Sequence, residues 1–231
     1  MVETIGVVPL RKNSKGLPGK NVRPLAGRPL FMHAVEQARA AGLDRCIVST
    51  DIEELVANPP EGVEVIARPP ELAEDTTPMD AVLGYLLSDC VSGAARIVLL
   101  QATSPLRQAE DIRAALALHD RGDHDLVLSV VPAEKSVLKW GMAEGETFIP
   151  LVTPEYCFSN RESLPPVYRP NGAVYVFDAD WYRKAGTLGG GTIGMIEMPA
   201  ERSVDIDSLS DFEEVARRLT ASHGGGRAQV K

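Results

Sequence analysis

Short apolar runs alternate with helix-spaced apolar stripes over the first 130 residues. "TIGVV" (4–8), "RCIVST" (45–50), "VEVI" (63–66), "RIVLLQ" (96–101) and "DLVLSVV" (125–131) have the length and β-branched content of strands. Between them the apolar period lengthens to about 3.6. Leu30, Phe31, Ala34, Val35, Ala38 and Ala41 predict a helix, with Pro29 suited to its first turn and Gly42 to its end. Further helices are predicted over "DIEELVA" (51–57) with Asp51 as its cap, over "MDAVLGYLLSD" (79–89), and over "SPLRQAEDIRAALALHD" (104–120). This alternation implies an α/β fold, a mostly parallel sheet with helices on both faces. Ligands of such sheets sit beyond the C-terminal ends of the strands. Residues 9–21, 50–51 and 101–107 therefore share one rim.

The pattern fails from Glu134 to Pro170, where prolines and scattered apolar residues predict an excursion from the sheet. It returns in "AVYVF" (173–177) and "TIGMIEM" (192–198), and an amphipathic helix closes the pattern at "LSDFEEVARRLTA" (209–221). The expected organisation is a single domain over 1–222, with 134–170 protruding from it and 223–231 as a disordered tail.

Composition narrows the partners. The 231 residues are 44% hydrophobic and 24% charged, ordinary values for a globular protein. A net charge of -8 argues against nucleic acid, but not against a small polyanion in a local basic pocket. No apolar run is long enough to span a bilayer, and the first residues lack a signal-peptide pattern, so the expectation is a cytoplasmic protein without membrane contact. Cys46, Cys90 and Cys157 are odd in number and far apart, which fits a reducing compartment. His33, His119 and His124 have no metal-ligand spacing, and Trp140 and Trp181 read as packing or interface residues.

Two stretches carry chemistry. "LRKNSKGLPGKN" (10–21) gathers four basic residues and two glycines in an acidic chain. Gly16 and Gly19 would open the backbone, and Arg11, Lys12, Lys15 and Lys20 would supply charge, as a phosphate-binding loop requires. A solvated basic turn has the same composition. The glycines are too close for a G-x-x-x-x-G-K-[ST] loop, and G-x-G-x-x-G is absent. In "VDIDSLSD" (204–211), Asp205 and Asp207 fall on one side of an extended segment. They suit a divalent cation such as Mg²⁺, or else a strand end with Asp207 or Ser208 capping the last helix. Loop and acidic pair together point to nucleotide phosphoryl chemistry.

Five segments, in order, resemble the acylneuraminate cytidylyltransferases (CMP-sialic acid synthetases): "LRKNSKGLPGKN", "RPPELAEDTT", "LLQATSPLR", "NRESLPPVYRPNGAVYVF" and "SVDIDSLSDFEEVA". The resemblance implies a Rossmann-like, three-layer α/β/α nucleotidyltransferase fold with a small dimerisation subdomain, and a homodimer. It implies that Arg11, Ser14, Lys20 and Asn21 hold the CTP phosphates, with Lys20 at the α-phosphate. Arg68 and Thr77 would contact the cytidine, and Gln101 would sit between nucleotide and sugar. Lys139 and Arg161 would reach the carboxylate of a 2-keto sugar acid across the dimer, Asn171 would contact the sugar, and Asp205 and Asp207 would hold Mg²⁺. Catalysis would rest on Lys20, Arg11 and Asp207. Ala102 and Glu162 depart from the usual proline and glutamine. A same-fold enzyme for a Kdo-type sugar or a phosphonate, and an inactive nucleotide-binding subunit, are the alternatives.

Overall fold

The computed structural model describes residues 2–14 and 16–224. Its strands are β1 (Glu3–Pro9), β2 (Pro24–Leu25), β3 (Arg28–Pro29), β4 (Arg45–Thr50), β5 (Glu64–Ala67), β6 (Ala95–Leu99), β7 (Leu126–Ala133), β8 (Gly141–Glu144), β9 (Thr147–Pro150), β10 (Val167–Asp178) and β11 (Ile193–Glu197). Its α-helices are α1 (Leu30–Ala41), α2 (Glu53–Ala57), α3 (Met79–Tyr85), α4 (Ala109–His119), α5 (Pro154–Phe158), α6 (Ala179–Ala185) and α7 (Leu209–Gly224). Seven strands form the main sheet in the order β11-β7-β10-β6-β1-β4-β5. All neighbours run parallel except β10, which is antiparallel to both β6 and β7.

Side chains alternate across β1, and each face finds its own helices. Val8 joins Phe31, Ala34, Val35 and Ala38 of α1 and Ile112 and Ala115 of α4. Ile5 and Val7 join Val82 and Leu83 of α3 and Tyr182 of α6 on the other face. The result is the expected three-layer α/β/α sandwich. A third apolar cluster lies outside both faces: Leu17, Leu25, Leu30, Ile206, Phe212 and Val215. It fastens the basic loop, the start of α1, the acidic segment and α7 to one another.

Three boundaries differ from expectation for local reasons. The helix predicted from Ser104 begins at Ala109, where Gln108 and Asp111 form a reciprocal capping box. Residues 104–107 thus stay in the rim loop. The excursion is not formless, since it holds the β8–β9 hairpin and α5, and β10 starts inside it at Val167. Helix α7 runs to Gly224, two residues into the expected tail, and 225–231 lie outside the described residues.

Candidate functional site at the strand ends

The basic loop is fixed by its neighbour strand. Leu10 N–H donates to the Ser49 carbonyl (2.8 Å), and Lys12 N–H donates to the Asp51 carboxylate (2.7 Å). Asp51 is therefore not a helix cap. Helix α2 starts at Glu53 after an uncapped Ile52, and the carboxylate restrains the loop instead. Gly19 adopts φ 67°, a left-handed conformation that turns the chain into the short helix Lys20–Val22. Gly16 is required for a different reason: a Cβ there would run into the Asp207 carbonyl oxygen. Loop and acidic segment thus meet backbone to backbone.

That contact brings Lys20 to the aspartates. Its Nζ donates to the Ile206 carbonyl (2.5 Å) and to Asp207 Oδ1 (3.1 Å), and the residue is only 8% exposed. Asn21 Nδ2 donates to the Arg11 carbonyl (3.0 Å), closing the loop on itself. Ile206 is wholly buried, so Asp205 and Asp207 face outward on either side of it, as the alternation predicts. Ile206 N–H donates to the Thr103 carbonyl (2.9 Å), which ties the acidic segment to the rim loop. Burial, and secondarily the charge of Asp207, push the Asp205 carboxyl above its usual range, while a hydrogen bond from Thr103 and the Lys20 charge pull it down. Ser208 also caps α7: its hydroxyl accepts from Asp211 N–H (3.2 Å), and the Asp211 carboxylate accepts from Ser208 N–H (2.8 Å). The helix cap thus falls at Ser208, next to the aspartate pair.

The opposite wall comes from β5 onward. Arg68 is buried and donates to the Ser49 carbonyl (2.9 Å), and burial lowers its pKa. Thr77 donates to the Glu71 carbonyl (3.2 Å), and Arg11 pairs with Asp75 (2.5 Å). All seven residues expected on the nucleotide, Arg11, Ser14, Lys20, Asn21, Arg68, Thr77 and Gln101, line one cavity of about 390 Å³ together with Asp205 and Asp207. Asp75 and Thr103 also line it. Both lie inside quoted segments, but nothing in their residue type set them apart.

Of the residues expected on the sugar, Gln101 lines this cavity, but Lys139, Arg161 and Asn171 are not gathered there. Asn171 is 5% exposed, and its amide is spent internally: Nδ2 donates to Ser203 Oγ (2.9 Å) and Oδ1 accepts from Ser129 Oγ (2.6 Å). Lys139 donates to the Ser159 carbonyl (2.5 Å), and Arg161 pairs with Glu134 (2.7 Å). Arg161 and Glu162 line a separate cleft with Glu134 and Lys135.

The cavity holds three cations, Arg11, Lys20 and Arg68, against four carboxylates, Glu74, Asp75, Asp205 and Asp207. These cations alone do not outweigh the cavity's own negative charge, so a triphosphate needs further positive charge. Two carboxylates that line one cavity, Asp205 and Asp207, are a donor set that would fit Mg²⁺ if a bound phosphate supplied further oxygens. Among the described residues no cluster of three or more His, Cys, Asp or Glu forms a cage for a metal by itself.

A parallel-centred α/β/α sheet with a charged cavity at its strand ends is an architecture that nucleotidyltransferases use. The solved structure of CMP:2-keto-3-deoxy-manno-octonic acid synthetase complexed with CTP has the same fold, with a TM-score of 0.71 at 18% identity over 95% of this chain and 99% of that one. The chain belongs to the cytidylyltransferase family, whose pattern it matches over residues 5–146. It is 32% identical over 225 residues to the N-acylneuraminate cytidylyltransferase of Streptococcus agalactiae serotype V, covering 94% of this chain and 54% of that protein. The chain thus spans about half the length of this relative. It is also 32% identical over 191 residues to the CMP-N,N'-diacetyllegionaminic acid synthase of Legionella pneumophila, covering 76% and 78% of the two chains.

Proposed function

We propose that this chain joins CTP to the anomeric hydroxyl of a sialic-acid-like nonulosonic acid, giving the CMP-sugar and pyrophosphate. The observation that carries this reading is the single cavity lined by all seven nucleotide residues and both aspartates. Arg11, Ser14 and Asn21 hold the phosphates, and Lys20 meets the charge that develops at the α-phosphate. A buried lysine fixed by the main chain is preorganised for that task and needs no rearrangement in the transition state. Arg68 and Thr77 hold the cytidine, and Gln101 separates it from the sugar. Asp205 and Asp207 would hold Mg²⁺, which when bound neutralises phosphate charge. Asp207, exposed at the mouth of the pocket, accepts the proton of the attacking hydroxyl on its carboxylate.

The working form is a homodimer. The excursion exposes Trp140, Met142, Phe148, Leu151, Val152 and Phe158, an apolar surface that a second copy would cover. Lys139 and Arg161 lie in the same segment and would reach the sugar carboxylate in the partner's site, with Asn171 supporting the sugar strand. Residues 1–222 act as one domain, and a CTP-consuming reaction belongs in the cytoplasm.

The test is pyrophosphate release with CTP and Mg²⁺ against N-acetylneuraminate, its deaminated analogue, legionaminate, pseudaminate and Kdo. We expect release with a nonulosonate. Release with Kdo alone would favour the same-fold alternative, and no release despite CTP binding would remove the nonulosonate reading.

A further inference from the structure

Arg107 is the largest fully buried side chain in the protein, 1% exposed, in the rim loop behind the nucleotide cavity. A buried guanidinium is ordinarily neutralised by a carboxylate. Here no ion pair to it forms among the described residues. The carboxylate whose charge it feels, Asp111, is bonded to Arg202 (2.8 Å). Burial accordingly lowers the Arg107 pKa to about 9.

Its hydrogen bonds go to oxygens on three separate elements. Nη1 donates to the carbonyls of Gln101 (3.2 Å) and Ala173 (2.6 Å), and Nη2 donates to Gln37 Oε1 of α1 (2.8 Å). Gln37 Nε2 returns to the carbonyls of Pro105 (2.8 Å) and Arg107 (2.5 Å), locking the loop around the guanidinium. The two carbonyls held by Nη1 flank a tight contact. Gly172, at φ 76°, lies so close under Gln101 that a Cβ there would stand 3.1 Å from Gln101 Oε1. In the proposed function Gln101 lies between nucleotide and sugar, and Asn171, next to Gly172, supports the sugar strand. The planar trans peptide adds a second consequence. With the Gln101 carbonyl drawn to Arg107, the Ala102 N–H turns the opposite way, and Ala102 lines the cavity.

We infer that Arg107 is a positioning residue for the sugar half of the reaction: its guanidinium fixes the Gln101 rim and the Gly172–Ala173 strand at one separation, through geometry that lysine cannot supply. A lysine's three donors sit on one rotating nitrogen, whereas the planar fork spreads its donors over several acceptors at fixed angles. This rests on the proposed cytidylyl transfer.

The experiment compares wild type with Arg107→Lys in pyrophosphate release, and measures CTP binding by calorimetry. The variant keeps the charge and a hydrogen-bonding nitrogen, so the fold is retained and the CTP Kd stays within threefold. We expect kcat to fall at least thirtyfold and the KM for the sugar acid to rise. A kcat within threefold of wild type overturns the inference. So does a parallel loss of CTP affinity or of folding, which would mark a general structural role. Silence of the wild type across the substrate panel would instead remove the reading on which the inference rests. Arg107→Met provides a second check, with the same split of kcat from CTP Kd expected and the same outcomes overturning it.

Discussion

Two rim cations, Lys20 and Arg68, and one cation of the excursion, Arg161, are held in opposite ways. Lys20 and Arg68 are each 8% exposed and donate to main-chain carbonyls of other elements. Arg161 stands in the open, its side chain 67% exposed, and its partner is the flexible head of Glu134. Around the rim the apolar residues are spent: Leu17, Ile206 and Phe212 are buried together behind the loop. Around the excursion they are displayed, with Phe158 89% exposed. The difference separates two kinds of site. The nucleotide pocket is built by one chain from its own backbone, so its charges are preorganised. The excursion's cations, proposed above to reach the sugar, ride on a surface that displays apolar side chains, the kind of surface a second copy would cover.

Lys20→Met should give the largest effect. It keeps the length of the side chain but removes the charge at the α-phosphate, and pyrophosphate release should fall by about 10²–10³-fold. A loss under tenfold would mean that the rim pocket is not where the chemistry happens.

The next effect belongs to the excursion. Met142→Glu with Phe148→Glu puts two charges on the exposed hairpin, and light scattering should then report a monomer where wild type is a dimer. If the two regions are as separable as their construction implies, CTP affinity stays within threefold while the sugar-acid KM rises about tenfold or more. A monomeric wild type, or a monomeric variant with unchanged KM, would break the comparison and confine the whole site to one chain.

The same contrast governs what the sequence made legible. Strands β1, β4, β6 and β7 and helix α1 are plain in the pattern because each is buried on a face that dictates its period. The rim residues that share one cavity are legible as a group because they gather charge and small residues in an otherwise acidic chain. Asp51 reads as a helix cap in the sequence, but the donor its carboxylate meets in space, Lys12 N–H, lies 39 residues away along the chain. Ser104–Pro105 imitates a helix start, whereas the actual start of α4 is the Gln108–Asp111 capping box. Arg107 was indistinguishable from a surface arginine, since burial comes from β10 and α1 closing over it. The β8–β9 hairpin was missed because its strands are apolar on an exposed face, so no burial pattern marks them.

The smallest effect tests how the acidic arm is anchored. The Asp211 carboxylate accepts from the N–H groups of Ser208 (2.8 Å) and Asp207 (3.1 Å) and from the Ser208 hydroxyl (2.7 Å). These bonds hold its pKa below the ordinary carboxylate range, with the Ser208 bonds the main cause. A depressed folded-state pKa adds stability that is present above the unfolded value, near 3.9, and is lost as pH falls through the folded value. Asp211→Ala should therefore lower Tm by roughly 2–4 °C at pH 7, the scale of one lost helix cap in a domain of this size. The gap from wild type should close as pH drops below about 4. Because the same carboxylate steadies Asp207 N–H, the variant should also need more Mg²⁺ for half-maximal pyrophosphate release, by a fewfold. A pH-independent gap in Tm would show that the helix end, not the ionised carboxylate, carries the stability. An unchanged Mg²⁺ requirement would show that Lys20 and the buried Ile206 are enough to hold the arm.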